Sequence, residues 1–181
     1  MKLIVGLGNP EEKYKNTRHN TGKDFLNYIL LKKKADSNWD LKKNLECEIA
    51  LLDSNVVLAK PLLYMNEIGL PVKKLLGYFK LKTHDLIVCY DELDLILGRY
   101  KINFGMNRSI HNGVLSVKSY TKSLDFCHVR IGVREEKIPM SVKVYGIDPK
   151  EYVLEKLTKQ ELTIRQSAFD KLLVDSKFLQ F

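Results

Sequence analysis

Two periods recur in the hydrophobic pattern of this chain. Short apolar runs bounded by glycine, proline or polar residues are typical of buried strands. Such runs occur at 2–7, 85–90, 98–103 and 126–133. Apolar residues that recur every three or four positions predict amphipathic helices. This second pattern occurs at 22–34, 72–79, 112–122 and 162–173.

Two further strands are predicted to pair as a hairpin. Residues 46–53 and 55–60 are rich in apolar side chains, and the turn signal Asp53-Ser54-Asn55 joins them. A hairpin pairs its strands antiparallel, whereas strands that alternate with helices are typical of parallel pairing. The sequence therefore predicts an α/β fold with a single domain over 1–181, in which a mixed, mostly parallel β-sheet is sandwiched between α-helices.

Capping signals mark where three of the helices begin. Thr21 can cap the helix at 22–34, because a threonine hydroxyl accepts from the free N–H groups of a first turn. Asp148 followed by Pro149 marks a start near the end of the chain. Thr158 and Glu161 have the spacing of a capping box, which predicts a third start.

Composition and cysteine content limit the environment of the protein. With 181 residues and 45% hydrophobic content, the chain can form one core. The apolar run before Asn9 is too short for a signal peptide, and no run reaches the roughly 18 residues that cross a bilayer. Cys47, Cys89 and Cys127 form no CxxC pair, which favours structural thiols in a reducing compartment. We expect a cytoplasmic monomer with no membrane partner.

The net charge of the chain bears on its partners. The formal charge is +8 at pH 7, which favours a polyanion such as a nucleic acid. The alternative is that a lysine-rich chain is basic everywhere on its surface. Charge alone does not decide between the two.

The loop after the first predicted strand is unusually polar. Loops at the carboxyl ends of strands are where ligands bind in open α/β sheets. This loop contains Asn9, Tyr14, Arg18, His19 and Asn20. The strand at 85–90 is predicted to end in an acidic turn, 91–94, at the same edge of the sheet. We therefore expect these two polar loops to meet in space.

His19 and Asp91 together suit general-base catalysis. A neutral imidazole with a pKa of about 6.5 can take a proton from water, and a carboxylate on its other nitrogen fixes its tautomer. Asn9, Asn66 and Asn112 lie at strand ends or helix starts, where their amides could donate to an oxyanion or bind a substrate amide. The alternative is structural, with His19 and Asn20 capping the first helix and Asp91 tightening a turn.

Other common chemistries lack their motifs in this sequence. Gly6 and Gly8 follow a strand as in a dinucleotide-binding loop, but Glu11 stands where the third glycine is needed. The sequence contains no phosphate-binding P-loop, nucleophile elbow or zinc-protease motif. Four dispersed histidines and three dispersed cysteines offer no metal-ligand spacing. We therefore expect neither a metal nor a cofactor.

Five motifs, in their order and spacing, resemble those of bacterial peptidyl-tRNA hydrolases. They are GLGNP with TRHNTG within 6–22, Tyr64-Met65-Asn66, Tyr90-Asp91-Glu92-Leu93-Asp94, His111-Asn112-Gly113 and Val129-Arg130-Ile131-Gly132. The resemblance extends from Lys2 to about Val133. Any one of these motifs would be weak evidence, but their coincidence is highly specific.

The resemblance implies an enzyme that cleaves the ester between a peptide and the 3′ ribose of tRNA, and so frees tRNA from aborted translation. In such an enzyme His19 would activate water, Asp91 would hold His19, and Asn9 would help to distinguish N-blocked from free aminoacyl esters. Asn66 and Asn112 would bind the peptide main chain and the 3′ end. Tyr14 and Tyr64 are expected to contact tRNA, and Met65, His111 and Arg130 are expected to line the cleft. Lys101 and Arg130 are expected to contact tRNA phosphates.

The chain also departs from the pattern of that family. The loop before His111, which usually contains several glycines and covers the cleft, keeps only one glycine over 104–110, and Asn103 replaces a usual lysine. These changes leave the proposed catalytic residues intact. The alternative function is an RNA-binding protein of the same fold whose hydrolysis is lost or incidental. Joint retention of the base, its carboxylate and the three asparagines favours the enzyme; these residues are His19, Asp91, Asn9, Asn66 and Asn112.

Overall fold

A computed structural model describes residues 1–33, 38–105, 111–138 and 148–179. Its strands join one seven-stranded sheet in the order β2-β3-β4-β1-β5-β7-β6. They are β1 (Lys2–Gly6), β2 (Asp40–Lys42), β3 (Cys47–Asp53), β4 (Val56–Pro61), β5 (Leu86–Ile96), β6 (Tyr100–Phe104) and β7 (Cys127–Arg134). The α-helices are α1 (Thr21–Lys32), α2 (Gly69–Tyr78), α3 (Asn112–Thr121), α4 (Pro149–Tyr152), α5 (Lys159–Leu173) and α6 (Ser176–Leu179).

The sheet is mixed and mostly parallel, as predicted. The central strands β4, β1, β5 and β7 pair parallel with one another. The predicted hairpin of β3 and β4 is antiparallel, and β6 closes the other edge antiparallel to β7. Because β1 and β5 are parallel neighbours, their carboxyl ends lie at the same edge of the sheet.

Helices cover both faces of the sheet, which confirms the predicted layers. Leu3 and Val5 of β1 pack on one face with Val72 of α2 and Val117 of α3. Ile4 points to the other face, where Phe25 and Leu26 of α1 and Phe169 and Leu172 of α5 complete the core. The alternation along β1 follows from the two-residue period of a strand.

The buried Cys47, Cys89 and Cys127 lie within these layers as free thiols.

Glycine at position 22 lets α1 begin directly against the sheet. A Cβ there would lie 2.2 Å from the carbonyl oxygen of Cys89 and 2.7 Å from the backbone nitrogen of Leu7. No residue with a side chain fits this approach without displacing backbone. The close contact fixes the start of α1, and with it the loop that contains His19.

Thr21 does not cap α1, contrary to the prediction. A 3-10 turn at Arg18–Asn20 runs directly into the helix, so Thr21 has helical torsions and is the first residue of α1. Its hydroxyl is buried without a hydrogen-bond partner. The caps at Asp148 and at Thr158 with Glu161 form as predicted.

β5 is longer than the sequence indicates. The acidic run at 91–94, which was predicted to form a turn, is part of the strand instead. Asp91 and Glu92 pair with Ile131 and Gly132 of β7, and the register then shifts before Ile96. A Cβ at Gly132 would lie 2.1 Å from the carbonyl oxygen of Ile96, so the missing side chain allows β5 to stay on β7. Asp91 is therefore held inside a strand, at a fixed height on the sheet.

Several predictions lie partly outside the described residues. These include the last residue of the helix predicted at 22–34 and the loop residues 106–110 of the glycine-poor segment. Within the described ranges, no helix has both the length and the apolar content to span a membrane. The short edge strand β2 was not predicted.

Candidate active site

The central contact of the site joins the two polar segments that were expected to meet. Nδ1 of His19 lies 3.0 Å from both carboxylate oxygens of Asp91. Both side chains are largely buried, and Asp91 is only 2% exposed. An ionised carboxylate only accepts hydrogen bonds, so Nδ1 of His19 is the protonated nitrogen and Nε2 is left as the acceptor. This tautomer is the one that a general base requires.

A second imidazole binds the same carboxylate. Nε2 of His111 lies 2.8 Å from Oδ1 of Asp91, and Nδ1 of His111 accepts from the backbone N–H of Gly113. These two contacts fix the tautomer of His111 with its proton on Nε2. The His19 and His111 rings lie 4.9 Å apart between centroids. Asp91 thus orients two neighbouring histidines.

Burial and pairing act in opposite directions on the pKa values of this cluster. For His19, burial lowers the pKa, but the Asp91 charge and hydrogen bond outweigh it, so the pKa is raised. For Asp91, burial raises the pKa, whereas His19 and His111 together hold it well below its usual value. Asp91 is therefore ionised at neutral pH, and it favours the imidazolium that forms when His19 takes a proton.

Asn9 is held in one orientation by its neighbours. Its Oδ1 accepts from the backbone N–H of Met65 at 3.0 Å. Its backbone exchanges two hydrogen bonds with the Asn20 side chain, at 2.9 and 3.0 Å, and its carbonyl also accepts from Nζ of Lys23 at 3.2 Å. Because Oδ1 is occupied, the amide Nδ2 is the group that Asn9 can offer to a substrate.

The rim of the site is formed by polar and aromatic groups that are exposed or, in the case of Tyr14, half-buried. Tyr14 and Tyr64 pack edge to face with ring centroids 6.5 Å apart, and the Tyr64 hydroxyl contacts Glu11. Asn66, between β4 and α2, and Asn112, the first residue of α3, are both exposed. Met65 is buried, and α3 approaches it so closely that a Cβ at Gly113 would lie 2.5 Å from its sulfur. The three predicted asparagines thus come from separate elements that Met65 links.

Lys101 and Arg130 are neighbours across β6 and β7, as their register shows. Lys101 is exposed. Arg130 is largely buried and donates through Nε to Glu92 at 2.8 Å, an ion pair that the sequence did not predict. Glu92 therefore offsets part of the positive charge that Arg130 was expected to offer to tRNA.

The expectation that the histidines are too dispersed for a metal-ligand set is wrong in one respect. His19, Asp91 and His111 place their ligand atoms within 4.8 Å of one another. However, Nδ1 of His19 and Nε2 of His111, the nitrogens that contact Asp91, carry the protons that are donated to its carboxylate. A metal on Nε2 of His111 would move its proton to Nδ1, opposite the N–H of Gly113. The donor set therefore suits hydrogen bonding within the cluster, and metal-free chemistry remains our prediction.

Three residues support the site in ways that the sequence did not predict. Asn20 and Lys23 hold the backbone of Asn9, and Arg18 is buried beside His19. Burial and the nearby Lys60 lower the pKa of Lys23 to about 8. The available signal was the position of Lys23, between Gly22 and the inward-facing Phe25. Charged residues are seldom buried without a specific contact, so a lysine at this position indicates a specific partner.

Comparison with known proteins supports the resemblance over most of the chain. The sequence model of the family described as "Peptidyl-tRNA hydrolase" matches residues 3–179. A peptidyl-tRNA hydrolase of Mycobacterium marinum is 40% identical over 182 residues, covering 96% of this chain and 91% of the relative. One from Ligilactobacillus salivarius is 32% identical over 186 residues, covering 99% and 96%.

Solved structures agree with the sequence relatives. The crystal structure of peptidyl-tRNA hydrolase from Acinetobacter baumannii is 26% identical, with a TM-score of 0.81, and the match covers 96% of this chain and 85% of that one. A structure of a peptidyl-tRNA hydrolase in complex with N-propanol gives a TM-score of 0.83 at the same identity, covering 99% and 88%. The structural similarity thus extends over nearly the whole chain.

Proposed function

This chain belongs to the peptidyl-tRNA hydrolase family and is an enzyme that hydrolyses peptidyl-tRNA, and we propose that it does so with a water that His19 activates. The observation that carries the mechanism is the contact of Nδ1 of His19 with both oxygens of Asp91 at 3.0 Å. That contact leaves Nε2 as the acceptor for the proton of a water molecule. No covalent intermediate with the protein is needed, because the ester is already activated toward water.

The proton moves through His19 and returns to the leaving group. Water attacks the ester carbonyl carbon while Nε2 of His19 takes one of its protons, which gives a tetrahedral oxyanion and an imidazolium. Asp91 stabilises that imidazolium. The bond between the carbonyl carbon and the 3′ oxygen then breaks, and the imidazolium protonates the 3′ oxygen. The products are a peptide with a free carboxyl group and a tRNA with a free 3′ hydroxyl, and His19 is again neutral.

Asn9 is the donor for the developing oxyanion in this proposal. The N–H of Met65 holds its Oδ1, so Nδ2 is pre-oriented and needs no rearrangement during the reaction. A donor that is fixed in advance stabilises a transition-state charge more than a mobile one does. Asn66 and Asn112, both exposed on the rim, would bind the peptide main chain and the 3′ end. Tyr14 and Tyr64 would contact the tRNA beside them.

In the cell, this reaction would recycle tRNA from translation that has stopped before completion. The partner is then the acceptor end of a peptidyl-tRNA. The competing hypothesis is a protein that binds RNA without hydrolysing it. The His19–Asp91 contact disfavours that hypothesis, because binding alone gives no use for a base held in its catalytic tautomer.

The decisive experiment compares N-acetyl-aminoacyl-tRNA with unblocked aminoacyl-tRNA as substrates, with EDTA present. We expect the purified protein to hydrolyse the blocked ester and to leave the unblocked one intact. Activity that is lost on chelation would overturn the metal-free mechanism. Equal rates on both esters would contradict the selection of N-blocked esters that the family resemblance implies for Asn9. Binding of tRNA without hydrolysis would support the RNA-binding alternative.

A further inference from the structure

Arg18, the residue before His19, is one of the most buried charged groups described. It is 2% exposed, and its guanidinium lies 4.3 Å from the centre of the Tyr152 ring. One of its nitrogens donates to Glu161 at 2.5 Å and, more weakly, to Glu135 at 3.4 Å. Neither the base nor the substrate in the proposed mechanism uses this side chain, so its burial needs another explanation.

Glu161 connects Arg18 to the start of α5. Its Oε2 accepts from the backbone N–H of Thr158 in the capping box, and its Oε1 accepts from Arg18. One carboxylate therefore both caps α5 and holds the residue next to His19. The carboxylate cannot move without breaking one of these two contacts.

The backbone on both sides of Arg18 is tied to the same C-terminal segment. The N–H of Arg18 donates to the carbonyl of Glu155 at 3.1 Å, and the N–H of His19 donates to the carbonyl of Val153 at 2.7 Å. Thr17 and Lys156 form an isolated antiparallel bridge. Residues 17–19 thus run along residues 153–156, and the Arg18 side chain contacts Glu161 of α5.

We infer that Arg18 is a positioning residue for hydrolysis, which holds His19 on Asp91 by anchoring its backbone to the cap of α5 through Glu161. This inference rests on the proposed function, in which His19 is the base. It assigns a role in the reaction to α4 and α5, which contribute no group to the reacting atoms. The alternative is that Arg18 only stabilises the fold.

The chain contains a matched control for this inference. Arg165, also on α5, donates to Asp24 of α1 at 2.6 Å. The two ion pairs are similarly buried, with side-chain exposures of 3% and 12% for Arg18 and Glu161 and of 8% and 16% for Arg165 and Asp24. Both pairs attach α5 to the rest of the protein, but only the first adjoins His19.

The experiment compares Arg18→Met with Arg165→Met. We expect both variants to unfold at a lower temperature, because each leaves a buried carboxylate without its partner. Only Arg18→Met should lower kcat, by about 10- to 100-fold with KM nearly unchanged, since a small displacement of a catalytic group has an effect of this size. The pKa of His19, followed by NMR, should fall in Arg18→Met and stay at the wild-type value in Arg165→Met.

The NMR measurement separates this inference from the proposed function. If the wild-type protein does not hydrolyse peptidyl-tRNA, the proposed function fails, yet the pKa of His19 still reports whether Arg18 holds it on Asp91. If Arg18→Met and Arg165→Met have the same kcat and the same His19 pKa, Arg18 is only structural and the inference is overturned.

A milder pair of variants covers the case in which Arg18→Met does not fold. Glu161→Gln keeps a side chain that can complete the capping box while removing the charge. The double variant Arg18→Met with Glu161→Gln leaves no unpaired charge at the contact with α5, so it should recover stability. We expect its kcat to stay low. Recovery of wild-type kcat together with stability would show that Arg18 positions nothing.

Discussion

Nε2 of His111 donates to Oδ1 of Asp91 over 2.8 Å, so the carboxylate that orients the base also receives a second imidazole. The two hydrogen bonds hold Asp91 in place on β5, and both stabilise its ionised form. Asp91 is therefore the residue on which the charge and geometry of the site depend. Removal of its negative charge should therefore affect both the rate and its pH dependence.

Asp91→Asn should lower the rate and move its pH dependence to lower pH. The Asp91 carboxylate is what raises the pKa of His19 against the effect of burial. Without that charge the pKa of His19 falls, so the neutral base persists at lower pH and the acid limb of kcat/KM moves down. The measurement is a pH–rate profile, with Asp94→Asn as the control, because Asp94 is an exposed acidic residue of the same strand. An unchanged acid limb in Asp91→Asn would mean that this limb does not report His19.

His19→Ala should remove the base while leaving tRNA binding largely intact. General-base catalysis contributes roughly 10²- to 10⁴-fold, so a loss of that size in kcat is expected, and a larger loss than in Asp91→Asn. The measurement combines single-turnover hydrolysis of N-acetyl-aminoacyl-tRNA with a tRNA binding assay. A folded His19→Ala protein with nearly full activity would show that another group acts as the base.

Prediction from sequence was most successful where local patterns and sheet geometry determine the result. The layers, the hairpin and the meeting of His19 with Asp91 follow from strand periodicity and from the shared carboxyl edge of parallel neighbours. The contacts that were missed depend on long-range packing. Arg18 and Glu161 are 143 residues apart, and nothing in either local sequence indicates the other.

A second kind of error came from reading polarity as a chain reversal. The acidic run at 91–94 has the composition of a turn, but it remains in β5 because Gly132 lets the neighbouring backbone approach and because Glu92 pairs with Arg130. Neither effect is visible in the run itself. Thr21 was misassigned for a similar reason, since the preceding 3-10 turn cannot be read from its residue type.

Gly22→Ala should destabilise the protein and reduce activity. The added Cβ would meet backbone atoms of Cys89 and Leu7, which cannot move aside as a flexible side chain does. Overpacking of this kind costs about 1–3 kcal/mol of unfolding free energy. The displaced start of α1 should also move His19 and lower kcat. Both effects can be measured by urea unfolding and steady-state kinetics.

Gly77→Ala is the matched control for that substitution. Gly77 lies within α2, and beyond its chain neighbours and the backbone of its own helix a Cβ there would meet no atom within 4 Å. Alanine in a helix is favoured over glycine by about 0.5–1 kcal/mol, so this variant should be slightly more stable and equally active. If Gly22→Ala is as stable as Gly77→Ala, a side chain is tolerated at position 22, and the close approach of α1 to the sheet does not require glycine there.

The attraction of tRNA to Lys101 of β6 and Arg130 of β7 should also depend on Glu92, which pairs with Arg130. Each phosphate contact that a lysine or arginine makes releases counterions, so it steepens the fall of affinity with salt. Lys101→Ala should therefore weaken binding and reduce the slope of log affinity against log salt by about one. Arg130→Ala should flatten the slope as well. Lys43→Ala is the control, because this exposed lysine follows β2 at the opposite edge of the sheet.

Glu92→Gln tests whether the ion pair restrains Arg130. The glutamine can still accept from Nε of Arg130 while the negative charge is gone, so the charge of the surface shared with Lys101 rises by one. We expect tighter tRNA binding and a steeper slope between about 50 and 200 mM salt, measured by fluorescence anisotropy. Combining Glu92→Gln with Arg130→Ala should remove the gain, because the freed guanidinium is its source. If Lys101→Ala, Arg130→Ala and Glu92→Gln all leave the slope at the value of Lys43→Ala, tRNA does not contact this part of the sheet, and its basic residues serve the fold and solubility alone.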